Sequence, residues 1–245
     1  MKKIIALAAI ALFMISCSED DSQTTNPADT VLLKKMTSTD EDGHVITYNY
    51  AYDGNKLLSV IGTDGSSNTY DYTDNHITHL KQVTTNEISE TFYEYFDNGR
   101  LKSQITNSVY PQYTINNSWS YTYNNDSSTI VHYIQDFTEQ VNQHSEYNYT
   151  ITYSGNKITY DYGDGTKNIL IYDGKNGYLK NVLGFEEIYQ TQNLLTHIYQ
   201  LPPDQYILQD NTYVYNDLNF PISAIINEGN LDNSIKTYRY KYFYE

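Results

Sequence analysis

One short unit recurs along this chain: two tyrosines at spacing two, a turn rich in Asp, Asn and Gly, then an aliphatic residue. The clearest copies are Tyr50-Ala51-Tyr52-Asp53-Gly54-Asn55-Lys56-Leu57, Tyr70-Asp71-Tyr72-Thr73-Asp74-Asn75-His76-Ile77 and Tyr93-Glu94-Tyr95-Phe96-Asp97-Asn98-Gly99-Arg100-Leu101. Tyr121 and Tyr123 lead to Ile130, Ile151 and Tyr153 to Ile158, Leu170 and Tyr172 to Leu179, and Tyr213 and Tyr215 to Ile222. Tyr238, Tyr240, Tyr242 and Tyr244 form a last strand with no return partner. Period-two alternation puts the rings on one strand face and Thr, Asn or Glu on the other. The Asp-Gly, Asn-Gly and Gly-Asn steps accept the positive φ that two-residue hairpin turns need.

The expected fold is therefore all-β: an antiparallel meander of many strands, about 14 to 16, closed or curled into a barrel-like sheet, because open twisted sheets of that size rarely stay open. A β-propeller is the alternative, but its blades take roughly 40 residues each, and these units are shorter. The longest gap, between Tyr172 and Tyr215, leaves room for a degenerate unit near Ile188-Tyr189 or for a short helix. Leu201-Pro202-Pro203 must break regular structure there.

Leu, Ile, Val and Phe make up only about a fifth of the chain after residue 16, close to the composition of disordered proteins. The 28 tyrosines and Trp119 tip the balance toward a folded body. Each Tyr brings a large apolar ring and a hydroxyl that needs a partner, so folding depends on those rings.

The first residues are of another kind. Met1-Lys2-Lys3, a charge-free run from Ile4 to Ile15, and Ser16-Cys17 compose a secretory signal. The apolar run is too short to span ~30 Å of hydrocarbon. Three segments follow: a signal peptide over 1–16, an acidic flexible tether over 17–30, and a Tyr-rich antiparallel β domain over 31–245. The 14 residues from Cys17 to Thr30 give the tether a mean reach of roughly 20 Å. The formal charge is −15, and losing Lys2 and Lys3 leaves −17, which repels nucleic acid and anionic lipid. Cys17 is the single cysteine, so once acylated it leaves no thiol for a disulfide.

Met14-Ile15-Ser16-Cys17 resembles a lipobox, with Met14 where Leu is usual. Ser18-Glu19-Asp20-Asp21 resembles the acidic export signal that sends Bacteroidetes lipoproteins to the outer face of the outer membrane. Asp29-Thr30-Val31 resembles the O-glycan acceptor motif of that phylum. Phe92 to Leu101 resembles the YD-repeat of Rhs-type and wall-associated proteins, and Tyr172-Asp173 with Gly177 and Leu179 is a looser match. Together these features resemble Bacteroidetes outer-membrane lipoproteins of unknown function with a described porin-like fold. That resemblance implies a many-stranded barrel, lipid-anchored through acylated Cys17 and facing the cell exterior, and it supplies no activity.

Chemistry-bearing constellations are sparse. A transmembrane barrel would need a lipid-facing apolar band, and here Tyr alternates with polar residues. His76 and His79, three apart on a strand, are expected to point to opposite faces, and Asp40-Glu41-Asp42-Gly43 and Asp161–Gly165 lack the full calcium-loop pattern. No metal and no cofactor is expected. No nucleophile elbow, HExxH or Ser/His/Asp order is present, and abundant carboxylates do not make a glycosidase pair, so the chain reads as non-catalytic. Two roles stay open: a ligand-binding module for a glycan or peptide, using Tyr faces as paratopes do, or a structural, partner-docking component in which the rings are cross-strand packing partners. Several Tyr exposed in one concave patch would mark the first.

Overall fold

The computed structural model describes residues 31–125, 127–138, 143–186, 188, 191–229 and 234–245. Every regular element among them is a strand. β1 (Leu33–Thr39), β2 (Val45–Asp53), β3 (Lys56–Gly62) and β4 (Ser67–Thr73) begin the meander. It continues through β5 (His76–Val83), β6 (Ile88–Tyr95), β7 (Leu101–Val109) and β8 (Thr114–Asn125). β9 (Ser128–Thr138), β10 (Gln143–Ser154), β11 (Lys157–Asp161) and β12 (Lys167–Tyr172) follow. β13 (Leu194–Leu201), β14 (Asp204–Tyr215), β15 (Pro221–Gly229) and β16 (Ile235–Tyr244) complete it. Each strand pairs antiparallel with its sequence neighbours, and β16 pairs with β1, so the sheet is a closed barrel. The last tyrosine strand has two partners after all: Tyr240 faces Ser38 on β1 and Ala224 on β15.

One end, here the base, carries the turns of the recurring tyrosine unit; the other is the mouth. Gly54 and Gly155 turn at φ +58° and +60°, and Asp74 occupies the same region at +55°. Near the base the ladder slips by one residue beside Tyr52, Tyr72, Tyr95, Tyr123, Tyr172 and Tyr215. Such bulges shift which residues face inward. Leu57 and Val60 both point in, as do Ile77 and Leu80, although each pair is three apart. The same slip interrupts the alternation between His76 and His79, whose partners on β4 are Thr73 and Asp71. They remain engaged separately, His79 with Asp71 at 2.8 Å and His76 against the Tyr95 ring at 4.7 Å. At two hairpins the inward residue after the turn is Thr129 or Phe220, whereas Ile130 and Ile222 are exposed.

All eight even-numbered strands carry a tyrosine within two residues of their base end: Tyr52, Tyr72, Tyr95, Tyr123, Tyr153, Tyr172, Tyr215 and Tyr244. Four of these hydroxyls cross to a main-chain carbonyl at the base of the preceding odd strand. Tyr52 donates to Leu33 O at 2.8 Å, Tyr95 to Ile77 O at 2.7 Å, Tyr123 to Leu101 O at 2.9 Å and Tyr244 to Pro221 O at 2.8 Å. Tyr213 does the same for Leu194 O at 3.0 Å. At the base these neighbouring strands have no connecting turn, so the phenol supplies the link. Between the rings lie the most buried apolar residues, Leu33, Leu57, Ile77, Val131 and Phe220. Toward the mouth the lining becomes polar, as in the hydroxyl pairs Ser108–Ser89 at 3.0 Å and Thr91–Thr106 at 2.9 Å.

The outer wall carries cross-strand ion pairs: Lys167–Asp161 at 2.7 Å, His144–Asp136 at 2.7 Å, Lys81–Glu90 at 3.2 Å and Lys102–Glu94 at 3.4 Å. Lipid-facing charge costs roughly 2–4 kcal/mol per basic residue at a bilayer midplane. Apolar side chains stand among these charges on the same outer wall, including Ile88, Phe92, Ile105 and Val109.

Candidate functional site

Leu170 and Tyr172 of β12 do not lead into a return strand at Leu179, as the sequence suggested. After Tyr172 the chain leaves the sheet at residue 173 and rejoins it at Leu194, and the intervening loop plugs the base. Its neck is closed by Asp173 N–H to Asn193 O at 3.1 Å and Gly177 N–H to Thr191 O at 2.6 Å. Gly177 is required at that neck, because a Cβ there would lie 2.2 Å from Thr191 O. Gly184, at φ +77°, presses against Asn75 O, where a Cβ would stand at 3.0 Å.

Val182 and Phe185 are buried in the same core cluster as Leu57, Tyr70 and Ile77. The Phe185 ring sits 5.4 Å from Tyr70, and Tyr178 stacks on Tyr242 at 5.5 Å. Polar contacts fasten the rim: Leu183 N–H to Asn55 O at 3.0 Å, Asn181 Nδ2 to Val31 O at 2.8 Å and Asn176 Nδ2 to Leu218 O at 2.9 Å. Among the described residues neither a helix nor a further hairpin fills this gap. Ile188 packs on the core cluster, and Tyr189 lies outside the described residues. Pro202 and Pro203 form the turn between β13 and β14 at the mouth.

Above the plug is a cavity of about 450 Å³, within the range of small-molecule sites. Tyr178, Leu179 and Phe185 form its floor; Tyr70 on β4, Tyr172 on β12 and Tyr213 on β14 form its walls. Asn68 and Gln82, an opposed pair on β4 and β5, border it toward the mouth, and Gln192 and Asn193 border it beside the plug. Among the described residues, none that lines the cavity is charged, in a chain whose net charge is −15. Below the wall, the Asp173 carboxylate accepts from the Tyr215 hydroxyl and from Asn193 Nδ2 at 3.2 Å.

Enclosure keeps the phenols neutral. Burial pushes Tyr72 and Tyr160 up to about 12 and holds Tyr213 and Tyr242 higher still. Tyr178 keeps 36% of its surface open, but that surface faces the lumen, and enclosure raises its phenol too. His197 lies beside Asn168 Oδ1 at 2.9 Å, and burial lowers its pKa, favouring the neutral ring. At the mouth a second hollow of about 560 Å³ is lined by Tyr147, Tyr162, Tyr199 and Leu201 with Asp164, Thr166 and Asn168. From it a run of rings descends along β10 and β11: Tyr147–Tyr162 at 6.1 Å, Tyr162–Tyr149 at 5.4 Å and Tyr149–Tyr160 at 6.1 Å.

Cys17, the export residues Ser18, Glu19, Asp20 and Asp21, and Thr30 lie outside the described residues. Asp40, Asp42 and His44 form the one candidate cation group found among the described residues. It is solvent-facing, and Asp40 already accepts from His44 N–H at 2.8 Å.

No family model matches the sequence, and no curated protein matches it. Among solved structures the chain is similar to a porin-like protein from Bacteroides uniformis, with a TM-score of 0.49 and 13% identity, over 87% of this chain and 96% of that one.

Proposed function

We propose that this chain is a non-catalytic capture lipoprotein whose lumen binds a neutral glycan. The observation that carries this reading is an uncharged cavity, walled by Tyr rings and amides, inside a strongly acidic protein. Tyr faces offer flat apolar area to a sugar ring. The amides of Asn68, Gln82 and Gln192 supply both donors and acceptors, as adjacent hydroxyls require. A charged ligand would find no countercharge in that lining.

In this reading Cys17 is acylated and Ser18–Asp21 direct the protein to the outer face of the outer membrane. Val31 and Leu32 sit at the base, where Asn181 holds Val31 O and Leu32 pairs with Glu245. The tether therefore leaves from the plugged end, and the mouth faces away from the membrane. Labelling with a radioactive fatty acid tests the anchor: wild type takes up label, and Cys17→Ala does not.

The binding test is affinity electrophoresis of fragment 22–245, which keeps every strand and the plug, through neutral and acidic polysaccharides. Retardation by a neutral polymer, lost in Gln82→Ala and Tyr178→Ala, supports the reading. Retardation by acidic polymers alone, or uniform mobility, overturns it. A partner-docking role has its own support: outward pairs Ile88–Val109 and Phe92–Ile105 lie directly opposite on β6 and β7, each residue 44–52% exposed. Uniform mobility would direct attention to that strip, through pull-downs from outer-membrane extracts.

A further inference from the structure

We infer that the lumen recognises the free end of a glycan chain rather than an internal stretch. The inference rests on the glycan reading above and adds where along the polymer the protein binds. Its basis is access. Every strand is paired on both edges, and where the ladder stops short of the base between β1 and β2, β5 and β6, and β7 and β8, the hydroxyls of Tyr52, Tyr95 and Tyr123 bridge the seam. The base is filled by the plug, whose Phe185 and Val182 are buried in the wall's own core cluster. Among the described residues the cavity thus opens toward the mouth alone, and a polymer that enters must stop at the floor formed by Tyr178 and Phe185. An internal stretch would have to bend back and leave by the same opening. The uncharged floor suits a terminal sugar, whose extra hydroxyl can meet the Gln192 amide.

The hollow at the mouth gives the remaining units a place to lie. Tyr147, 43% exposed, and Tyr162 head the run of rings that leads inward. The terminal unit then sits on the plug, and later units rest on rings toward the rim. Binding energy should grow with length only until the lumen is filled.

The test uses fragment 22–245 and a size-fractionated hydrolysate of the neutral polysaccharide that retards it, titrated calorimetrically. The expected result is one protein per chain at every length, with affinity per chain rising over the first few units and then flat. Chemical capping of one chain end should lower affinity at least about tenfold, while capping the other leaves it unchanged. Tyr147→Ala should weaken longer fragments and spare the shortest that binds, whereas Tyr178→Ala should weaken all of them. Several proteins per long chain, or indifference to capping at both ends, would overturn end recognition while leaving glycan binding intact. Absence of heat with every fraction would remove the glycan reading and this inference with it.

Discussion

The hydroxyl of Tyr95 reaches off its own strand to the carbonyl of Ile77, 18 residues earlier, and Tyr52, Tyr123 and Tyr244 make the same reach. Phenylalanine would fill the volume but leave that carbonyl without its donor. Tyr95→Phe and Tyr123→Phe should therefore each cost about 1 kcal/mol. The two sites lie on different strand pairs, so the double variant should cost close to the sum. Tyr95→Ala opens a cavity as well and should cost about 3–5 kcal/mol. Urea unfolding measures all four, and a Phe series without effect would mean that the phenols are packing alone. The alternation of the sequence shows that these rings share a face. It does not show the acceptor, because a carbonyl on the preceding odd strand leaves no mark in residue type.

At the scale of the element, the plug decides whether this barrel is a tube or a cup. Its seat depends on two close approaches of backbone to backbone. Gly177→Ala places a methyl 2.2 Å from Thr191 O, a main-chain atom that cannot swing aside. The neck should open, with faster amide hydrogen exchange over residues 176–186 and unchanged protection in β5, β6 and β7. Loss of protection through the whole barrel would show instead that plug and wall fold as one unit. The sequence was misleading here for a definite reason. Asp173-Gly174 and Asn176-Gly177 carry the same local turn signal as the true hairpins, but a hairpin also needs a return strand of period two. Tyr178 to Phe185 has no such period, and its apolar residues pack downward onto Leu57 and Ile77 instead. The bulge that interrupts the alternation between His76 and His79 was equally hidden, since a one-residue slip is a property of pairing.

At the scale of the whole molecule, the tyrosines make stability a function of alkaline pH. A phenol is neutral when protonated, and burial raises its folded pKa above the unfolded value near 10. Below pH 10 both states hold the proton, so the stabilisation is fully present. Above it the unfolded chain releases protons that the folded chain retains, and stability falls as pH climbs toward the folded values. Roughly ten enclosed rings, each contributing about 1.4 kcal/mol per pH unit, would remove a typical 5–15 kcal/mol within about one unit. Tyrosinate absorbance from these enclosed rings should therefore appear in one cooperative step that coincides with loss of β-sheet circular dichroism. Gradual ionisation ahead of unfolding would contradict this.

The hairpin count, the inward rings and the curling into a barrel were legible because each follows from local period and turn chemistry. Closure was not, because it depends on Leu33–Thr39 meeting Ile235–Tyr244 across nearly the full sequence. That seam has a consequence in time. A ribosome delivers β1 first and β16 last, so the nascent chain holds an unpaired edge at both margins of its sheet until the final strand appears. Open edges recruit other chains, and contacts of such long separation form slowly. Without residues 235–245, the chain should associate as its concentration rises, visible by light scattering. The protein matures as a ring, complete only when its last-made strand reaches its first.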